Sequence, residues 1–505
     1  KVLKSLSWAF PCRLGCKKHN FTRLALFLSP IFGEGIEQEF IFLNSLLERR
    51  HPGPAQMILM YGRRRVGKTS LLRHWSAQAG IPATYWSAEK EPAALQRRKL
   101  YAALLGIKAS QAPVFESWVE VWNAAAELIG SQRRILILDE LLYAAEADPA
   151  MLSALQHAWD QHFKDSNLIL VLCGSQVHTM ETLMSRQSPL FGRMTGQWHL
   201  QPLTFASLRE FLPGWSAEER VAGYAMIGGV PAYLEWLDPE RSLTQNIREV
   251  MLSPGSMFVA EPAFLLYDEV REPNVYMAVV KAIGQGAHTL NDISQASLID
   301  KTHLSAYLAR LQELHLVERR LPATIPTNQL HKSRLGRYHL SDPYFRFYFR
   351  FLAPFHDTLT FDPERVLTQV KEGLRAFVGQ TAFDEISRDW VIQQGKAGQF
   401  PFKPEVVSSH WSASVQVDVV AINWHEKQIL LGECKWGQDG IDRQIVRELT
   451  EQKTPKILAA LPEGGNTWRV HYAVFARGGF TPAARAEIER VAGMAVDLEM
   501  LDSQR

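Results

Sequence analysis

A short apolar run, Gln56 to Tyr61, leads directly into Gly62-Arg-Arg-Arg-Val-Gly-Lys-Thr-Ser70, and helix-compatible sequence continues from Lys68 to Gln78. No other feature restricts the fold as much. A buried parallel strand must deliver its tip to a glycine-bearing loop, and that loop must open onto a helix N-terminus. Gly62, Gly67, Lys68 and Thr69 satisfy the spacing G-x-x-x-x-G-K-[ST] of a phosphate-binding P-loop. The backbone N–H groups of the loop would face phosphates, helped by the partial positive charge at the helix start. Arg63, Arg64, Arg65, Val66 and Ser70 complete the expected nucleotide contacts. Lys68 is expected to bridge the β- and γ-phosphates of ATP, and Thr69 to ligate Mg²⁺.

Three later segments fit the same chemistry. The run RRILILDE ends on Asp139 and Glu140. An acid at a strand tip can hold Mg²⁺ through water, and its neighbour can orient or deprotonate the attacking water; a plain helix start is the alternative reading of the two acids. LILVLCGS ends on Gly174 and Ser175, where a polar group could sense the γ-phosphate, or where a Gly-Ser turn could simply close a strand. Arg193, in SPLFGRM, is a candidate arginine finger acting within its own subunit or on a neighbour in a homo-oligomer, with a surface salt bridge as the alternative.

The chain has 505 residues, more than one core usually organises, so two to four domains are expected. Net charge is +2, which offers no whole-chain argument for a nucleic-acid or membrane surface and requires any basic patch to be local. The four cysteines are too few and too scattered for a disulfide framework, which points to a reducing, cytoplasmic setting. Cys12, Cys16 and His19 lack a fourth ligand at finger-like spacing and are not read as a zinc site. No apolar stretch approaches the roughly 20 residues that span a bilayer, so no membrane partner is expected. Residues 1–30 carry Lys and Arg without Asp or Glu and read as a disordered extension or a mis-set start, with a transit peptide as the alternative.

Periodicity divides the rest. Ile36 to Arg49 has helical spacing, and strand candidates Ala83 to Trp86, Arg134 to Leu138 and Leu168 to Cys173 alternate with helices, which predicts an α/β domain with a parallel sheet over residues 31–202. Residues 203–268 read as a helical lid. Residues 269–340 read as a winged helix-turn-helix, with Lys301 to Glu313 as recognition helix and a wing bearing Arg319, Arg320, His331, Lys332, Arg334 and Arg337. Such a module grips DNA phosphates through the wing and reads the major groove with the helix, although winged helices also serve as protein contacts. A Pro- and aromatic-rich connector, SDPYFRFYFRFLAP, spans 341–365 with its flanks, and a last α/β domain occupies 366–505.

In that last domain Val415 to Ile422 and Ile429 to Trp436 flank the turn His425-Glu426. A hairpin centred there places Asp418 opposite Glu433, about 5 Å apart at Cβ, with Lys435 on the same face. Two carboxylates and an ammonium in an otherwise apolar sheet make a plausible Mg²⁺ site, Asp418 and Glu433 as ligands and Lys435 steadying charge; an exposed salt bridge is the alternative outside such a sheet.

The order YGRRRVGKTSLL, LILDELLYAAE, LILVLCGS, SPLFGR and MIGGVPAYLEWL resembles the archaeal-type ATPases, a branch of the AAA+-like STAND P-loop proteins, over about Phe32 to Leu237. That resemblance implies that Gly229-Val230-Pro231 brings Pro231 near the base. The usual opening of the family, Phe-x-Gly-Arg-Glu, is only partly kept at Ile31 to Gly35. Asp418 with Glu433-Cys-Lys435 resembles the PD-(D/E)xK nuclease-like pattern, which implies a further acid from the first helix, Asp384, with Glu385 as the alternative. Together with SDPYFRFYFRF, it is similar to the C-terminal domain fused to many archaeal-type ATPases. The expected whole is a P-loop, AAA+-like ATPase with helical lid, winged helix and C-terminal α/β restriction-endonuclease-like domain. It would use ATP and Mg²⁺ and couple nucleotide state to DNA binding or cleavage. The alternative is a signalling switch whose last domain only recognises a partner.

Overall fold

The computed structural model of the protein describes residues 36–48, 55–130, 132–267, 270 and 272–503. The expectations for residues 1–30, for Cys12, Cys16 and His19, and for the Ile31 to Gly35 opening lie outside the described residues.

The N-terminal half is built on a five-stranded, all-parallel sheet of order β2-β3-β4-β1-β5, comprising β1 (Gln56–Tyr61), β2 (Ala83–Ser87), β3 (Arg134–Asp139), β4 (Leu168–Gly174) and β5 (Gly196–His199). Every residue of β1 and β4 is buried, as continuous apolar runs sandwiched between helical layers require. The chain leaves β1 for the far edge at β2 and crosses to the other side of β1 only at β5. This reversal opens a crevice above the C-terminal end of β1, where open α/β sheets place ligands. The edge strand β5 was not anticipated: GQWH has no apolar run, and its residues are half-exposed or exposed.

Helices Ala217–Ile227 and Pro231–Trp236 follow, and the first is closed by a reciprocal cap between Ser216 and Glu219. The backbone at Gly229 lies against Leu203, whose N–H donates to the Gly229 carbonyl at 2.8 Å. A Cβ at Gly229 would overlap the Leu203 carbonyl oxygen. Gly229→Ala is therefore expected to destabilise the protein by about 1–3 kcal/mol, read as a lower midpoint in urea unfolding; an unchanged midpoint would refute this tight approach.

Three helices, Pro273–Gly284, Leu290–Ser297 and Lys301–Glu313, precede an antiparallel pair, β6 (Val317–Arg320) and β7 (Arg337–Leu340). The cations expected to line an outward wing are largely engaged within the chain. Arg320 pairs with Glu385 at 2.5 Å, Arg319 donates to the Ser333 carbonyl at 2.6 Å, and Arg337 stacks over the Trp411 ring at 5.0 Å. His331 and Arg334 remain exposed. The segment joining β6 to β7 also docks on the last domain, with Ala323 N–H donating to the Ser409 carbonyl at 2.9 Å.

The aromatic connector is a core element rather than a link. Tyr344, Phe345, Phe347 and Phe349 are each at most 1% exposed, and they join a hydrophobic core that runs unbroken from Ile36 to Leu501. The long helix Pro363–Lys396 then crosses a second five-stranded sheet of order β12-β11-β10-β9-β8. Its strands are β8 (Val406–Trp411), β9 (Gln416–Asn423), β10 (Gln428–Lys435), β11 (Arg469–Ala476) and β12 (Met494–Asp497). The pairs β8–β9 and β9–β10 are antiparallel, while β10–β11 and β11–β12 are parallel. The lid helix is fastened to this last part by a buried Arg220–Asp502 ion pair and by Arg477–Glu218. Among the described residues no helix is long and apolar enough to cross a membrane.

Candidate functional site

The loop after β1 folds as its glycines require. Gly67 has φ 97°, a left-handed conformation that places its backbone at the start of helix Lys68–Gln78. Arg65 in the loop and Glu140 after β3 also sit at positive φ, 67° and 48°. Non-glycine residues held there cost of order 1 kcal/mol or more, and such strain concentrates at functional sites.

Around the loop lies a cleft of about 350 Å³, within the usual range for a small-ligand pocket. It brings together Arg64, Arg65, Gly67, Lys68, Thr69, Ser70, Glu140, Ser175 and Pro231 of the sequence-predicted set. Lys68 is buried, and its Nζ donates to the carbonyls of Gly62 at 2.7 Å and Arg63 at 3.0 Å. Burial pushes its pKa down, opposed by the nearby Cys173, Glu140 and Asp139. Asp139, 2% exposed, accepts from Thr69 Oγ1 at 2.7 Å and from the Tyr85 hydroxyl at 2.5 Å. The expected hydroxyl–carboxylate pair is thus adjacent before any ligand arrives. Glu140 accepts from Ser175 Oγ at 3.0 Å and from its N–H at 3.3 Å. Ser175 therefore steadies the acid beside the cleft.

Gly62, Arg63 and Val66 do not line the cleft. Arg63 turns away to Asp342 at 2.6 Å, and that carboxylate also caps helix Pro343–Phe347 by accepting from Tyr344 N–H at 2.9 Å. Burial opposes the charge on Arg63, yet Asp342 holds its pKa up. Arg65 pairs with the buried Glu261 at 2.5 Å and lies over the Trp236 ring at 5.0 Å. Two of the three loop arginines are thus wired to the lid and connector, a use that nothing in the loop sequence announced. Glu261 did carry a signal, as the sole charge in the helical run MFVAEPAFLLY.

Arg193 sits in the salt bridge that was its alternative reading. It forms a bidentate pair with Asp160, at 2.6 and 2.9 Å, and donates to the carbonyls of Pro189 and Phe191. These bonds tie its loop to the helical segment Trp159–Phe163, and Arg193 does not line the cleft of its own chain.

The second constellation is also rearranged. The β9–β10 register matches the expected hairpin, Gln428 with Asn423 through Gly432 with Val419, and stops one pair short of Asp418 and Glu433. On its other side β9 pairs Val420 with Ser408 and Val417 with His410, so Asp418 and Val419 together face the single residue Ser409. This bulge breaks the alternation of faces and re-aims the Asp418 side chain. Its Oδ2 accepts from Cys434 N–H at 3.0 Å, and one ligand atom each of Asp384, Asp418 and Cys434 lies within 4.8 Å of the others. Burial, then the Asp418 charge, pushes the Asp384 pKa up to about 7.

Glu433, expected to share a cation with Asp418, is 3% exposed and has both oxygens taken by ammonium groups, Lys435 at 3.1 Å and Lys453 at 2.7 Å. Lys453, on a distant helical turn, left no sequence signal. Glu385 pairs with Arg346 and Arg320, at 2.7 and 2.5 Å, while Asp384 lies beside Asp418 and Cys434.

Residues 39–237 match a family described as an ATPase domain predominantly from Archaea, and residues 348–457 match a family of archaeal and bacterial proteins of unknown function. An uncharacterized protein of Methanocaldococcus jannaschii is 31% identical over 415 residues, which cover 81% of this chain and 88% of that one. The chain belongs to the archaeal ATPase family. Among solved structures, the Walker-type ATPase of Pyrococcus abyssi aligns with 62% of this chain and 95% of its own, at a TM-score of 0.45 and 18% identity. The Aeropyrum pernix ORC2 protein, solved in ADPNP–ADP complexes, aligns with 68% and 95% at 0.40 and 13%. In this archaeal-type ATPase the P-loop and the cleft around it lie within the matched ATPase domain.

Proposed function

We propose that this ATPase hydrolyses Mg²⁺-bound ATP at the Lys68 cleft and couples its nucleotide state to DNA held by the winged helix and the nuclease-like C-terminal domain. Mg²⁺ would sit at Thr69 and Asp139 and neutralise charge developing on the phosphates. Glu140, released from or oriented by Ser175, would position the attacking water, and Pro231 would border the base.

The observation that carries the coupling is the Arg63–Asp342 pair. It ties the phosphate loop to helix Pro343–Phe347, whose Arg346 in turn grips Glu385, the neighbour of Asp384. A shift of the loop on binding phosphate therefore has a charged path to the second constellation. The domain limits near 202, 268, 340 and 365 belong to the same reading, with the buried connector passing movement from one end to the other as a packed core element. Among the described residues of this part, Lys301 and Arg334 are exposed cations that would meet DNA phosphates, with the exposed His331 near Arg334 in sequence.

One observation favours a second reading, in which the last domain only recognises a partner and the chain is a STAND-type switch: both oxygens of Glu433 are neutralised by lysines. The two readings separate in one experiment. ATP hydrolysis is measured with and without DNA, and DNA cleavage is followed in Mg²⁺ for the wild type and Glu433→Ala. Hydrolysis stimulated several-fold by DNA is expected, with cleavage lost in the variant. No stimulation and no cleavage, with ATP-dependent self-association instead, would transfer the assignment to the switch.

A further inference from the structure

Helix Pro363–Lys396, strand β9 and strand β10 each contribute one donor, from Asp384, Asp418 and Cys434, to a single half-buried spot on the helix-facing side of the sheet. We propose that these three side chains bind a thiophilic divalent cation of the Zn²⁺ class, not Mg²⁺. The proposal rests on the reading of the last domain as metal-dependent, and it names the ligands and the class of ion.

Donor atoms within 4.8 Å of one another are close to what one ion needs. With metal–oxygen and metal–sulfur distances of about 2.0 to 2.3 Å, two ligands in a tetrahedral shell stand roughly 3.3 to 3.8 Å apart. Side-chain rotations that bring the donors about 1 Å closer complete the site. The bulge at Asp418 and Val419 is what turns the Asp418 carboxylate toward Cys434, and the Arg388 guanidinium fixes that backbone by donating to the Asp418 carbonyl at 3.0 Å. Cys434 lies in the core, 9% exposed and unoxidised, with its sulfur on the face opposite Glu433.

Donor chemistry then selects the ion. Mg²⁺ takes oxygen ligands in near-octahedral geometry and retains waters, so a buried thiol is a poor partner for it. Zn²⁺ accepts thiolate and carboxylate together in a tetrahedral shell, with the remaining position open to water. Glu433 on the other face does not compete, because its oxygens are held by Lys435 and Lys453. On binding, the thiol proton leaves to solvent and the sulfur ligates as thiolate, opposing the single positive charge of Arg388 with as many as three negative ones.

The test uses the full-length protein, stripped with a chelator and titrated with Co²⁺ as a spectroscopic stand-in. A near-ultraviolet thiolate-to-cobalt band at one ion per chain is expected, bleached by Zn²⁺ and unaffected by excess Mg²⁺. Cys434→Ser should abolish the band, and Asp384→Asn should weaken Zn²⁺ binding about 10- to 100-fold, while a Cys12→Ser/Cys16→Ser double variant keeps the band. If Cys434→Ser fails to fold, as judged by lost ATP binding, Asp384→Asn alone decides. No band in the wild type, or a band that survives Cys434→Ser, overturns the site. A band without DNA cleavage removes the nuclease reading and leaves the metal site standing; cleavage in Mg²⁺ without a band does the reverse.

Discussion

Lys68→Ala is expected to weaken ATP binding and hydrolysis about 100- to 1,000-fold while leaving the protein folded. Lys68 is 6% exposed, and its ammonium lies at the cleft, where attraction to phosphate is little screened. Before ligand arrives it is satisfied by the Gly62 and Arg63 carbonyls, so turning to a phosphate exchanges neutral acceptors for charged ones. Alanine forfeits that gain. Folding should survive, because the nearby buried carboxylate of Asp139 keeps the hydroxyl donors of Thr69 and Tyr85. Calorimetric titration with ATP and a steady-state hydrolysis assay check the point. Binding of wild-type strength would show that the phosphates are held elsewhere.

Glu385→Gln is expected to lower stability by about 2–4 kcal/mol at neutral pH, within the range for breaking a mostly buried ion pair. Burial opposes the charge on Glu385, yet the guanidiniums of Arg346 and Arg320 together hold its carboxyl well below the usual range. A depressed folded-state pKa contributes stability that is present above the unfolded value near 4.3 and is lost as pH falls toward the folded one. The gap between wild type and variant should therefore be constant from pH 6 to 8, and it should shrink below about pH 4. Urea midpoints across that series measure it. A gap that widens in acid would mean that Glu385 is not held ionised. Because the same carboxylate joins helix Pro343–Phe347 to helix Pro363–Lys396, the variant should also loosen any response of the last domain to ATP.

The elements around the nucleotide cleft were legible because their signals are local. An apolar strand, a glycine that tolerates φ 97° and a helix beginning at Lys68 lie within one contiguous stretch, and each can be read from its neighbours. The β9–β10 register was legible for the same reason, since a hairpin turn fixes pairing over a few residues. What escaped was non-local. Tyr85 reaches Asp139 only because β2 is placed beside β3, and Lys453 reaches Glu433 only because a helix returns over the sheet. Arg193 had a plausible motif but spends its donors on Asp160, 33 positions earlier, and no spacing rule covers such a partner.

Sequence by itself determined that a phosphate loop sits between a buried strand and a helix, that Asp139 and Glu140 stand at the tip of a later strand, and that a second α/β part carries Asp418, Glu433 and Lys435. These follow from period, burial and loop stereochemistry, which act over a handful of bonds. Tertiary structure decided which of those groups meet. A one-residue bulge moved Asp418 toward Asp384 and Cys434, two lysines claimed Glu433, and Arg63 left the phosphate loop for Asp342. The reason is that charge pairing and side-chain direction depend on distances of a few ångströms between segments far apart in the chain, and packing alone sets those distances.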